Sequence, residues 1–224
     1  MYAEPLVLLV AFVLSSGLFH GHQSASLKAA TLLRLETAEA VLTSFDDTKS
    51  TDALREQMKL ADCISVMPAF EKDASGGGTA SGRGFISCRT GDHWSPPRAI
   101  SLETTASAAA PIGKEKIDIV MLSMDPRIRG KLLSERFTIG KDAPAAWEDG
   151  GPEPVDPVAS VLYFGRASDA LVSFNLDGAI IKSDDRSNKA LYGRTKRTSD
   201  SVGVAAAEPT AVQTFSDRLT SALR

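Results

Sequence analysis

The sequence predicts an α+β fold, a strongly twisted antiparallel sheet or barrel-like core with helices at its N- and C-terminal ends. Three observations carry that expectation. Apolar residues recur at helical spacing between Leu27 and Phe45, and again after Pro209. Between these segments lie short alternating or wholly apolar runs, parted by glycine- and proline-rich turns. The chain has 224 residues, 43% of them hydrophobic and 24% charged, which is enough to bury a core and excludes wholesale disorder.

The elements follow in order. Leu6 to Leu14 is uncharged and apolar, and continues through Ser15, Ser16 and Gly17 to Leu18 and Phe19. That is shorter than the roughly 20 residues of a bilayer span. It reads as the apolar part of an export signal, with Ser24, Ala25 and Ser26 as the cleavage zone. The segment before it departs from that pattern, with Glu4 and no Lys or Arg. A membrane anchor over residues 6–19 and a buried core helix are the alternatives; no Cys follows to carry a lipoprotein anchor. Residues 1–25 are thus set apart as signal or anchor, and residues 26–224 form one domain, expected to be exported to the periplasm or the exterior.

Leu27, Leu35, Ala38, Val41, Leu42 and Phe45 line one helical face, and Asp46-Asp47 ends the helix. A second helix opens at Ser50 or Thr51, with Asp52 and Glu56 where the dipole favours carboxylates, and runs through Leu54, Met58 and Ala61. Cys63 to Met67 reads as a strand that stops at Pro68. Gly84 to Arg89 is a strand, Thr90-Gly91-Asp92 a turn, and Trp94 to Pro97 a rigid edge segment. Ile117 to Leu122 is the most apolar strand, hence central. Asp125 to Leu133 is a short helix with Pro126 near its first position, and Phe137 to Ile139 a short strand. Residues 142–157 hold Pro144, Pro152, Pro154, Pro157 and Gly150-Gly151, and read as a loop. Val158 to Phe164 and Ala170 to Leu176 pair as strands, with Gly178 to Lys182 continuing the second. A polar tail over Arg194 to Val204 precedes a final helix opened by Pro209, with Val212, Phe215, Leu219 and Leu223 on one face.

Charge and composition restrict the chemistry. The net charge is −3, so no basic field draws the whole chain to nucleic acid. Two cysteines exclude a Cys₄ zinc site and a disulfide-rich scaffold. Cleavage near Ala25 would leave His93 alone of the three histidines, which argues against a histidine metal site. Export permits a Cys63–Cys88 disulfide; two buried free thiols are the alternative. The glycines from Gly76 to Gly84 lack the Lys and Ser or Thr of a phosphate loop and precede a strand, so they read as a flexible turn. Asp184 to Asn188 lacks the alternating ligands and closing Glu of a calcium loop and reads as a solvated turn. His93, beside Asp92 and Trp94, has no nucleophile at a recognised spacing, and a hydrolase using Asp92 or His93 is set aside. No catalytic set emerges, and no cofactor is implied.

Three basic clusters remain: Lys114 and Lys116; Arg127, Arg129 and Lys131; and Arg194, Lys196 and Arg197. Each is ordinarily a solvated face. Brought onto one surface they would hold anionic headgroups, at about 1 kcal/mol per cation near a charged membrane.

Several segments, in this order, are similar to one family. Asp52 to Asp62 followed by Cys63-Ile64-Ser65-Val66-Met67-Pro68 resembles the opening of the SYLF domain, also called the Ysc84-type actin-binding domain. Gly82 to Arg89 and Trp94-Ser95-Pro96-Pro97 resemble its glycine-rich strand and Trp-Ser-x-Pro segment. Ile117 to Met124 and Phe137 to Gly140 match two further strands. Tyr163-Phe164-Gly165-Arg166, Val172 to Gly178 and Asn188-Lys189-Ala190-Leu191-Tyr192-Gly193 are the most specific, the last resembling bacterial members. The similarity covers about residues 35–220.

The chain departs from the family where glycines are replaced by Thr104 to Ala110, by Ala145 to Pro152, and by Asp169 to Ser173. The resemblance implies phosphoinositide and actin binding in eukaryotic relatives, and exported lipid-binding proteins in bacteria. For an exported protein the expected partner is an anionic phospholipid or membrane surface; actin follows only by analogy and is not expected. An envelope structural or protein-interaction module, without lipid binding, is the alternative.

Overall fold

The computed structural model describes residues 10–46, 51–72, 79–104, 116–148, 156, 158–168, 170–193 and 209–221. Its helices are α1 (Val10–Asp46), α2 (Thr51–Leu60), α3 (Arg129–Leu132), α4 (Asp185–Tyr192) and α5 (Thr210–Ser221), with a 3₁₀ turn over Pro126–Ile128 leading into α3. The strands are β1 (Cys63–Lys72), β2 (Ala80–Thr90), β3 (His93–Trp94), β4 (Arg98–Glu103), β5 (Ile117–Ser123), β6 (Arg136–Thr138), β7 (Ala145–Trp147), β8 (Val161–Ala167), β9 (Ala170–Leu171) and β10 (Ile180–Ser183). They form one ten-stranded sheet in the order β6-β10-β4-β2-β1-β5-β8-β7, with β3 added to β2 and β9 to β8. Its described ladders are antiparallel except β7 with β8. The expected α+β class, a curled sheet flanked by N- and C-terminal helices, is the fold observed.

Side-chain alternation divides the core in two. Cys63, Met67, Ile86, Cys88, Ile119, Met121 and Tyr163 face the inside of the curl, with Phe137, Phe174 and Leu176. Ile64, Val66, Phe85, Val120, Leu122, Leu162 and Phe164 face the helices. There they meet Leu35, Ala38, Leu42 and Phe45 of α1, Leu54 and Met58 of α2, and Val212, Phe215 and Leu219 of α5. Each such large side chain contributes about 1.5–3 kcal/mol by leaving water. The predicted N-terminal helix is the packed part of α1, which begins further back at Val10; Leu223, expected on the α5 face, lies outside the described residues. No helix among the described residues is long and apolar enough to cross a membrane.

Four expectations need correction. The first strand does not stop at Pro68: β1 runs on to Lys72, because the ladder breaks where the proline sits. The register with β2 shifts between Val66 and Glu71, and that with β5 between Met67 and Phe70. Ala69 takes a positive φ of 52°, and its N–H donates to Asp118 Oδ1 at 2.8 Å. This bulge leaves Pro68 no ladder bond to donate.

Residues 142–157 are not loop throughout, since Ala145–Trp147 forms β7, parallel to β8; residues 149–155 lie outside the described set. Ala170–Leu176 pairs with β8 only over Ala170 and Leu171, and Gly178–Lys182 does not continue that strand. Instead β10 crosses the sheet to lie between β4 and β6, and β4 itself, Arg98–Glu103, had no counterpart in the sequence reading.

Asp184 to Asn188 is not a solvated turn. Asp184 caps α4, accepting from Ser187 N–H at 3.1 Å and Ser187 Oγ–H at 2.8 Å, and Gly193 closes the helix with φ +70°. The hexapeptide Asn188 to Gly193 is therefore helix and C-cap. Asn188 is fully buried, Leu191 joins the helix-side core, and Tyr192 O–H donates to Pro97 O.

Candidate functional site

Lys114, Arg194, Lys196 and Arg197 lie outside the described residues. The other four predicted cations are placed, and each faces a carboxylate. Lys116 pairs with Glu71 at 3.3 Å, both more than half exposed. Arg127 pairs with Asp125 at 2.9 Å, its side chain 88% exposed. Hydrogen bonds from the Arg127 side chain and N–H hold the Asp125 carboxyl below its usual range, and the same pair raises the guanidinium pKa. Lys131 stands 3.9 Å from Asp142, with 55% of its side chain exposed. Arg129 turns inward: its Nε donates to Asp62 Oδ2 at 2.8 Å and its Nη2 to Asp62 Oδ1. Asp62 is buried, and its hydrogen bonds raise the Arg129 pKa. The 126–132 turn thus presents Arg127 and Lys131 to solvent and uses Arg129 to pin itself to the start of β1.

Next to Asp62, Cys63 and Cys88 stand opposite each other in the β1–β2 ladder and are joined by a disulfide, with Cα atoms 4.0 Å apart. The flanking bond from Arg89 N–H to Asp62 O, 2.7 Å, marks them as a non-hydrogen-bonded pair, the closer of the two antiparallel spacings. The bridge is 1% and 3% exposed at its two residues, and the free-thiol alternative is not what forms.

The third feature had no signal in the sequence. Where α1 crosses β1, β2 and β4 it leaves a groove of about 560 Å³, lined by Ala30, Leu33 and Arg34 of α1, Pro68 and Ala69 of the β1 bulge, and Arg83 of β2. The β2 backbone comes close here: a Cβ on Gly82 would lie 2.9 Å from Phe70 Cδ2, and one on Gly84 only 1.9 Å from Val66 O. Glu71 and Glu103 also line the groove, paired with Lys116 and Lys182.

Arg34 has no such partner: its Nη1 is buried without a hydrogen bond among the described residues. Burial lowers the Arg34 pKa first and the charge of Arg83 lowers it further, while Asp184 pulls the other way. Asp184 lies 3.9 Å from Arg83 and is already committed to capping α4. Arg34, Arg83 and Asp184 come from a helix, a strand and a helix cap far apart in the chain, which no local motif could reveal.

His93 is exposed on the short β3, while its neighbour Trp94 packs under Arg89, whose guanidinium carbon is 4.8 Å from the ring centre. Among the described residues no group of three His, Cys, Asp or Glu side chains could hold a metal ion.

The family model described as Ysc84, Las17-binding protein actin regulator, matches residues 104–222, just over half of the chain. No curated protein matches it. The matched segment and the part before it share one sheet, for β4, β2 and β1 lie between β10 and β5.

Proposed function

The chain belongs to the Ysc84 (SYLF) family, and on that premise we propose that it is a non-enzymatic module that associates with membranes through anionic lipid headgroups, outside the reducing cytosol. The observation that carries this reading is the exposed pair Arg127 and Lys131, four positions apart on the turn into α3, with Arg129 between them anchored to Asp62. Their carboxylate partners hold them weakly, since water and salt screen exposed ion pairs. A membrane phosphate can replace such a partner. Lys116, similarly exposed beside Glu71, extends the same chemistry. Export is supported by the Cys63–Cys88 bridge, because disulfides persist in oxidising compartments.

Flotation of the 224-residue chain with phosphatidylglycerol vesicles, at low and high salt, tests the reading. Binding should be absent from phosphatidylcholine vesicles and should fade as salt shortens the screening length to about 3 Å near 1 M. Arg127→Gln with Lys131→Gln should weaken it. Salt-insensitive flotation, or none, would turn the reading towards an envelope protein-interaction module.

A further inference from the structure

We propose that the groove between α1 and the β1–β2–β4 surface is a binding site for a phosphate group, gripped by Arg34 and Arg83. The inference does not rest on the membrane reading above, which uses other residues.

Arg34 and Arg83 line the same groove, and folding holds their like charges there; burial, and then the charge of Arg83, lowers the Arg34 pKa. Among the described residues the carboxylate that acts on both is Asp184, which already accepts from Ser187 twice and lies 3.9 Å from Arg83. Arg34 keeps a buried Nη1 that donates to nothing among the described residues. An unmet buried donor on a charged group is costly, and such groups in native proteins call for an explanation. An anion between Arg34 and Arg83 removes both penalties. It screens the repulsion and accepts hydrogen bonds from the guanidinium N–H groups in the planar, forked geometry that suits phosphate oxygens.

The surroundings restrict what carries the phosphate. About 560 Å³ is far more than a bare ion fills and falls within the range of small-ligand sites. On the α1 side the wall is apolar, with Ala30 and Leu33, the latter 63% exposed; on the β1 side it is Pro68 and Ala69. The other charges, Glu71 and Glu103, are each matched by a lysine and do not cancel the two arginines. These features fit a phosphoester with a compact organic body, either a soluble metabolite or the exposed headgroup of a phospholipid.

Titration calorimetry of the full chain with inorganic phosphate and with glycerol 3-phosphate tests the site, alongside flotation with phosphatidylglycerol vesicles. Glycerol 3-phosphate should bind more tightly than phosphate. Arg34→Gln and Arg83→Gln should each weaken it about tenfold or more, the loss of one charge-assisted hydrogen bond. Arg34→Lys, which keeps the charge and loses the fork, should fall between. Arg83 is 57% exposed, so Arg83→Gln carries the test should Arg34→Gln fail to fold. Loss of glycerol 3-phosphate binding with unchanged flotation supports the site and assigns it to a soluble phosphoester; loss of both supports it and assigns it to a lipid headgroup. No binding of either phosphate by the wild-type chain at millimolar concentration, or equal binding by the folded variants, overturns the inference whatever the vesicles do.

Discussion

The Asn188 side chain is paired with the backbone of Ala99 on both of its polar groups: Nδ2 donates to Ala99 O at 2.9 Å, and Oδ1 accepts from Ala99 N–H at 2.8 Å. Both residues are buried, and 89 positions separate them. The amide extends the β10 side of β4 beyond the last ladder pair, Ser183 with Ile100, where the Asp184 N–H shares the Ala99 carbonyl at 3.0 Å. This gives the Asn188 to Gly193 hexapeptide a physical meaning: it clamps α4 onto β4, with Tyr192 reaching Pro97 from the same helix.

Asn188→Ala would leave the Ala99 N–H buried without the Asn188 acceptor, while the carbonyl keeps its bond from the Asp184 N–H at 3.0 Å. We expect a loss of about 1–3 kcal/mol, the cost of one unmet buried group. Asn188→Asp keeps the acceptor and loses the donor, and should be equally damaging near neutral pH because it buries a charge. Urea unfolding followed by circular dichroism reads both; a change under 0.5 kcal/mol, the ordinary scatter of surface substitutions, would contradict the clamp.

Gly84→Ala should cost about 3 kcal/mol or prevent folding, since the new Cβ would press on the Val66 carbonyl, a backbone atom that cannot swing aside. Gly130→Ala, in α3, meets nothing within 4 Å and should leave stability unchanged or raise it by up to about 1 kcal/mol. Thermal melts of the two variants should therefore move in opposite directions or one not at all.

Replacing Cys63 and Cys88 together by Ala should cost about 3 kcal/mol, from the conformational freedom regained by an unfolded chain no longer closed over a separation of 25 residues. In the wild-type protein the bridge is buried at both ends, so dithiothreitol should cut it only as fast as the β1–β2 pair opens. Thiol labelling at increasing urea checks this; reduction at the rate of a model disulfide in native buffer would contradict it.

Tyr163 gives the protein an alkaline limit. Burial raises its pKa above 10.0, with the Leu176 N–H on its oxygen partly opposing. The unfolded phenol ionises first, so stability is whole below pH 10.0 and declines as pH rises towards the folded value. Tyr163→Phe should flatten that decline between about pH 9 and 11, while losing about 1 kcal/mol at neutral pH with the hydroxyl that accepts from Leu176. Parallel melting curves across that range would contradict the assignment.

Helix periodicity made α1, α2 and α5 legible, and apolar runs marked β2, β5 and β8. What escaped depended on partners distant in sequence. Arg98–Glu103 is short and half polar, and becomes a strand because β2 and β10 flank it. Ala145–Trp147 is hidden among prolines and is a strand only through β8. Asp184 opens what reads as a solvated turn, yet its spacing to Ser187 and the apolar Leu191 beyond is a helix signal. The basic clusters were visible as charges, but nothing local told Arg129, which turns inward to Asp62, from Arg127, which pairs with Asp125 in solvent. Arg34 and Arg83 could not be associated before α1 was laid across β2.

The Cys63–Cys88 bridge also fixes the register of β1 against β2 at one end of the hairpin, and hence which face each β1 side chain takes as far as the bulge at Pro68 and Ala69. With two cysteines in the chain there is a single intramolecular pairing to make, so oxidation cannot trap a scrambled isomer. A newly made chain that has closed this bond has already brought its first hairpin together at the correct end. For this protein the appearance of a disulfide is a molecular clock for the zipping of the sheet, one that can be stopped by acid and counted by mass.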